Sequence, residues 1–508
     1  MEPFVSSTVA AGDAAGIRLR DLRDYERFRV VQHDLGFHLT VSVVGLYTVR
    51  SIPQEDIMPV LLLAAKAVAE EHPNLCLQVR GGQDDTLHFV HLPRFDLGKM
   101  VVFHHSSPVR YNRHNSRLER VEKMLSEESN TPFQDSNLPL WRMTVLDLGP
   151  KDDGLHATEL AVNLTFHHAI ADGKSGQAFH DSLLRALQQT RVTSGKPNQL
   201  GTIVETPSRD PAPALEDTLA YKTSWMSSVR RWTLPCLQPE KLGPAISDHR
   251  WTGSSFVPPS GGNDQTGIRL MFISKAIIDI LRRRCRQEST SVTALLQVAV
   301  ATVLLNLFDK ADSVRCATAL SVRRFLPASA GIDETQMGLW IDAYYTDCSR
   351  SQAFREAPHG PRPNHTVSWD ECRRHKKIIK YHLKKGDCDL SFRSFHGEPD
   401  YATKLRDRAG RQRSNSYSVT NIGVFEASAQ TQSVLKALVG TRKWELTKMV
   451  LSQSAHTNGS AVQFCGASTV EGGLAISLNW QRGVVSDSKI DSMRDDLQSL
   501  LECLAQES

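Results

Sequence analysis

At 508 residues the chain is too long for one ordinary hydrophobic core, so two or three domains are expected. Sixty basic against 56 acidic side chains leave a formal charge of +4, which argues against a dedicated nucleic-acid binder with its clustered basic excess. Nine cysteines with no Cys-x-x-Cys pair exclude the close spacing of zinc knuckles and disulfide frameworks, and no metal site is expected.

The opening "MEPFVSSTVAAGDAAG" has no basic start and no apolar core, so no secretory signal is expected. No window of about 18 apolar residues suggests a membrane span, and a cytoplasmic location with reduced cysteines follows as the expectation. An apolar stripe from Asp56 to Leu75 predicts a helix stopped by Pro73, and Leu118–Asn130 a more polar one. Pro139–Leu148 reads as a strand. In Glu159–Phe166, Leu160, Val162, Leu164 and Phe166 share one face while Ala161, Asn163 and Thr165 share the other. After Gly176, Phe179, Leu183, Leu184 and Leu187 fall on one helical face.

Residues 191–262 carry nine prolines and little periodicity, which predicts a crossover linker between an N-terminal half, 1–190, and a C-terminal half, 263–508. The second half opens with a strand and helix over Ile268–Gln287. The uncharged run Ser291–Phe308 is expected to be a central core helix rather than a membrane span. Strands are expected within Val314–Leu326 and Leu339–Cys348. Residues 349–416 read as polar and irregular apart from one basic helix. Three further strands and a terminal helix from Asp487 close the chain, so both halves mix strands and helices.

The predicted strand and helix flank "FHHAIADG", residues 166–173. The spacing His-x-x-x-Asp identifies nothing alone, because His396 and Asp400 repeat it in a polar stretch that reads as surface. A plain strand-to-helix turn would also use Asp172 as a cap and Gly173 for unusual dihedrals. His168 stands out because strand parity continues the Leu160–Phe166 face to it, placing a polar side chain against apolar surroundings. The Gly-Lys-Ser of "ADGKSG" is no phosphate loop, since His168 occupies the position where that loop needs glycine.

"FHHAIADG" resembles the His-His-x-x-x-Asp-Gly signature of the chloramphenicol acetyltransferase-like superfamily, which includes BAHD acyltransferases, condensation domains and fungal alcohol acetyltransferases. "RDYERFRVVQHDLGFHLTVSVVGLY", "EEHPNL", "NTPFQDSNLPLWRMTVL", "SVRRFLP" and "SYSVTNIGVFE" follow in the order of the fungal branch, from about Leu19 to Leu504. The plant-type Asp-Phe-Gly-Trp-Gly motif is missing. The resemblance implies an α/β (α+β) fold of two chloramphenicol-acetyltransferase-like halves, each a mixed sheet with flanking helices, with a tunnel between them. It implies a monomer that transfers an acyl group, most simply acetyl, from acyl-CoA to a small alcohol or hydroxylated secondary metabolite.

The resemblance makes His168 the general base for direct attack on the thioester, a role suited to a group that titrates near neutrality. His167 is left to packing. Asp172 becomes structural, pairing with Arg323, with Arg324 second, while Gly173 makes the turn. Thr420 and Asn421 become candidates for oxyanion or loop support. Arg373, Arg374, Lys376, Lys377 and Lys380 read as a solvated basic helix face, or one that steers CoA phosphates or touches an anionic membrane. A carrier-protein-dependent or amide-forming condensation enzyme, and a non-catalytic binder of the same fold, remain as alternatives.

Overall fold

The computed structural model describes residues 16–82, 85–105, 117–150, 157–190, 201–206, 210–218, 249–258, 265–354, 366–385, 400–441 and 443–506. Two mixed sheets organise them. The first has five strands in the order Trp444–Gln453, Val41–Arg50, Ala157–Phe166, Trp141–Pro150 and Val101–His104. The second has six, ordered Thr266–Ile273, Gly473–Gln481, Ser460–Thr469, Asn415–Phe425, Ser313–Ser321 and Ile341–Ser349. Two smaller sheets share the core of the first, through Leu77, Phe89, Phe95 and Val204.

The alternation of the motif strand, Ala157–Phe166, explains its place. Leu160, Val162, Leu164 and Phe166 pack into one core with the helices Gln54–Glu71 and Gly173–Gln189. Ala161 faces a second apolar cluster shared with Val450, Ile268, Leu270 and Ala475, which joins the two sheets. Every residue of the strand from Leu160 onward is buried, as expected when both faces are covered. The predicted core helix runs Val292–Leu307, and Ala294 through Leu305 are all buried. Gln297 is its one buried amide, held by Thr318, Tyr344 and His375.

Three findings differ from the sequence expectation. The strand Trp444–Gln453 belongs by position to the second half, yet pairs antiparallel with Val41–Arg50 as the edge of the first sheet. The linker is not all free of structure: Ile203–Glu205 pairs with Arg94–Asp96, and Leu215 and Phe256 enter an aromatic cluster with Tyr25, Phe37, Trp340 and Tyr401. The stretch 349–416 holds a short helix at Tyr401–Arg406 as well as the basic helix Trp369–Lys385. His396 lies outside the described residues, and Asp400 caps the Tyr401–Arg406 helix by accepting from Thr403 N.

Candidate active site

The motif strand ends at Phe166, opposite Val41 on one side and Trp141 on the other. Its pairing stops there, so strand parity does not reach His168. A six-residue turn, not the pleat, aims that ring. His167 is consumed by this turn: its N–H donates to Leu140 O, and its Nδ1 accepts from Ala169 N at 2.9 Å. Its ring packs 4.6 Å from that of His33. His167 is thus a packing and turn residue.

His168 is 8% exposed, and its Nδ1 lies 2.8 Å from Ala171 O. A carbonyl only accepts, so Nδ1 carries the hydrogen and Nε2 presents a lone pair. Burial pushes the imidazole down to about 3, helped by the charge of Arg29, while the Ala171 carbonyl and Asp172 oppose the shift. The ring is therefore neutral at physiological pH, which is the state a base requires.

Asp172 makes no hydrogen bond to His168 among the described residues. Its carboxylate, fully buried, accepts from Arg323 Nη1 at 2.7 Å and Nη2 at 3.0 Å, from Ser175 N at 2.9 Å and from Trp340 N at 3.1 Å. Burial alone would raise its pKa, and the Arg323 charge and hydrogen bonds overcome that and lower it. Arg323 stacks over Trp340, 4.9 Å from the ring centre. Asp172 also caps the helix Gly173–Gln189. It clasps three segments together at the turn that carries His168. Arg324 takes no part in the clasp and lies over Phe325.

Gly173 does not have a positive φ, so its role is not an unusual dihedral. A Cβ there would lie 2.6 Å from Ile422 Cγ2. Glycine lets the motif helix meet the strand Asn415–Phe425 closely. On that strand Asn421 holds its own loop, accepting from Gly423 N at 2.9 Å and donating to Thr293 Oγ1 at 3.3 Å. Thr420 pairs opposite Cys465, whose thiol accepts from the Gln453 amide at 3.4 Å.

Gln453 leads to residues that sequence reasoning missed. Its Oε1 lies 3.3 Å from His38 Nε2. The His38 ring sits 5.5 Å from that of His168 and 4.5 Å from that of His456. Gln32 Nε2 meets His456 Nε2 at 3.4 Å. Burial lowers His456 to about 3 and places His38 well below its usual value. These partners come from segments hundreds of residues apart, so no local spacing marks them.

The basic run is mostly engaged elsewhere. Arg373 pairs with Glu288 and Asp370, Arg374 with Glu371, and Lys376 donates to Thr290 O at 2.9 Å. Lys377 and Lys380 are exposed. Among the described residues no group of three or more His, Cys, Asp or Glu is placed to hold a metal ion. No single described helix is long and apolar enough to cross a membrane.

A family model described as alcohol acetyltransferase matches residues 102–504. The chain belongs to the alcohol acetyltransferase family. It is 24% identical over 489 residues to the probable alcohol acetyltransferase crmB of Aspergillus fumigatus, covering 94% of this chain and 98% of that one. It is 23% identical over 500 residues to the probable alcohol acetyltransferase FCK4 of Fusarium pseudograminearum, covering 95% and 94%. In fold it resembles TRI3 trichothecene 15-O-acetyltransferase of Fusarium sporotrichioides, with a TM-score of 0.66 at 12% identity over 98% of this chain and 96% of that one. It also resembles the first condensation domain of the CDA synthetase, with a TM-score of 0.61 at 13% identity over 96% of both chains. This alcohol acetyltransferase family member is an acyl-CoA-dependent acyltransferase, and it shares the two-lobed fold of those acetyltransferase and condensation-domain structures.

Proposed function

We propose that the enzyme transfers an acetyl group from acetyl-CoA to the hydroxyl of a small alcohol or hydroxylated secondary metabolite, with His168 as general base. One observation carries this reading. The His168 Nδ1 hydrogen is committed to Ala171 O, so the free Nε2 lone pair belongs to a neutral, buried imidazole. As the acceptor oxygen bonds to the thioester carbon, its proton passes to Nε2, and the carbonyl electrons move onto oxygen. The tetrahedral oxyanion then collapses, the C–S bond breaks, and the imidazolium returns its proton to the departing thiolate. In this reading Thr420 supplies a hydroxyl to the oxyanion, Asn421 fixes the loop beside it, and Asp172, Arg323 and Gly173 hold the turn that aims His168. No covalent acyl-enzyme is required.

The test is release of free thiol from acetyl-CoA across an alcohol panel. Wild type should turn over at least one alcohol, and His168→Ala should lose about 10²–10⁴-fold while retaining its melting temperature. Turnover in neither protein, or equal turnover in both, would sink the assignment. Turnover with an acyl-carrier protein and none with acetyl-CoA would select the condensation-type alternative. In the same reading, exposed Lys377 and Lys380 steer the anionic donor. Lys377→Glu with Lys380→Glu should raise KM for acetyl-CoA at low salt and leave it unchanged at high salt. A cytoplasmic monomer completes the proposal, checked by cell fractionation and sedimentation.

A further inference from the structure

Near the site lies a buried cation with no counter-ion among the described residues. Arg29 lies on the helix Asp24–Asp34 and is 8% exposed. Its Nη1 donates to Gln32 Oε1 at 2.9 Å and its Nη2 to the Tyr25 hydroxyl at 2.7 Å. The guanidinium lies over the rings of Tyr25 and Phe28, at 4.9 and 5.7 Å from their centres. Its Nε is buried without a hydrogen-bond partner among the described residues. Among the described residues its polar partners are the two neutral groups Gln32 and Tyr25, and no carboxylate is paired with it.

The other buried arginines are provided for. Arg323 pairs with Asp172, Arg250 with Asp347, and Arg185 with Glu71. Arg413 has no carboxylate but spends its donors on the carbonyls of Ser254, His456 and Thr457 and on Gln481. Arg29 alone among these five rests on two neutral side chains. A buried charge left this way costs free energy that a ligand of opposite charge would offset.

Its position ties it to the reacting centre. The Gln32 amide that accepts from Arg29 turns its Nε2 toward His456, and His456 leads through His38 to His168. His38 Nδ1 is a second buried polar atom of this cluster without a hydrogen-bond partner among the described residues. The charge of Arg29 also contributes to holding His38, His167, His168 and His456 in their neutral forms. The donor does not supply the missing anion, because the pantetheine arm separates the CoA phosphates from the thioester that must reach His168. A neutral alcohol does not supply it either. A guanidinium fork suits the planar two-oxygen geometry of a carboxylate.

We propose that Arg29, framed by Tyr25 and Gln32, binds a carboxylate of the acceptor, so that the substrates of this acyltransferase are hydroxylated carboxylic acids. The proposal rests on His168 being the acyl-transfer centre and narrows its acceptor class.

The test uses wild type, Arg29→Met and Arg29→Lys. Thermal shift is read with benzoate, phenylacetate and hexanoate, each against its amide, and with inorganic phosphate and sulfate. Carboxylates should raise the melting temperature of wild type above the effect of the amides; Arg29→Met should erase the difference, and Arg29→Lys should retain part of it. Without ligand, Arg29→Met should melt no lower than wild type, since it removes an uncompensated charge. In turnover with acetyl-CoA, hydroxy acids should exceed their methyl esters by about 10²-fold or more in kcat/KM, and Arg29→Met should remove that preference mainly through KM.

Equal shifts from acids and amides, or an acid preference that survives Arg29→Met, overturn the proposal. A fall in the ligand-free melting temperature of Arg29→Met also counts against it, as the mark of a structural arginine. Equal shifts from phosphate or sulfate overturn the carboxylate assignment. Turnover of neutral alcohols with no carboxylate effect removes the Arg29 site and leaves the acyl-transfer reading standing. A carboxylate-specific shift with no turnover on any acceptor does the reverse.

Discussion

The Asp172 carboxylate is fully occupied by the Arg323 fork, Ser175 N and Trp340 N. Removing either charge strands the other in a dry site. Arg323→Met and Asp172→Asn should each cost about 3–5 kcal/mol, and the double variant less than their sum, measured by urea denaturation. An additive pair would mean that the clasp is not a single unit. His168 carries its own pH signature. Because its pKa is depressed to about 3 by burial, the free enzyme keeps a neutral base as pH falls. The kcat/KM profile of folded enzyme should show no acid limb near the ordinary imidazole value of about 6.5. His168, Asp172 and Gly173 were legible because one short turn holds them, and Arg323 through the resemblance. His38, His456 and Arg29 were not, because only the three-dimensional fold brings them together.

Close approach of elements governs the motif helix. Gly173 meets Ile422, and a Cβ at Gly176 would come 2.2 Å from Val43 Cγ2. Both glycines let Gly173–Gln189 settle onto strands. Gly173→Ala should cost about 1–3 kcal/mol by overpacking and lower kcat by shifting the turn. Pairing it with Ile422→Ala, which removes the obstructing methyl, should recover part of kcat; no recovery would implicate backbone conformation instead. The sequence marks Gly173 as special but not why, since its crowding neighbour lies far along the chain. The motif strand and its helix were legible because one face alternates and the other repeats at helical spacing. The strand Trp444–Gln453 was not. Glu445 is exposed, the next three residues are half-buried, and Met449 through Ser452 are all buried, so neither period survives.

Across the whole molecule, buried histidines set the response to acid. Burial lowers His168 and His456 to about 3 and His180 to about 4, and it also lowers His38, His167 and His375. In the unfolded chain each titrates near 6.5, so the unfolded state binds more protons below that value. The stability they contribute is present above about pH 6.5 and is lost as pH falls toward 3–4, at up to about 1.4 kcal/mol per pH unit for each group. Glu216, raised to about 7 by burial, acts in the opposite sense by favouring the native state as it protonates. The histidines outnumber it, so melting temperature should fall steeply between pH 7 and 5. A flat profile would show that these imidazoles are hydrated in solution.

The strand Trp444–Gln453 also sets an order of events in the cell. Val41–Arg50 leaves the ribosome early, but the neighbour that closes its outer edge is not synthesised until residue 453. At about 5–20 residues per second, roughly 20–80 s separate the two. Throughout that interval the nascent first lobe presents an unpaired, strongly apolar strand edge, open to wrong partners. Expression of the enzyme should therefore depend on chaperones that shield a partly made chain, and a version truncated before residue 444 should aggregate rather than yield a soluble half.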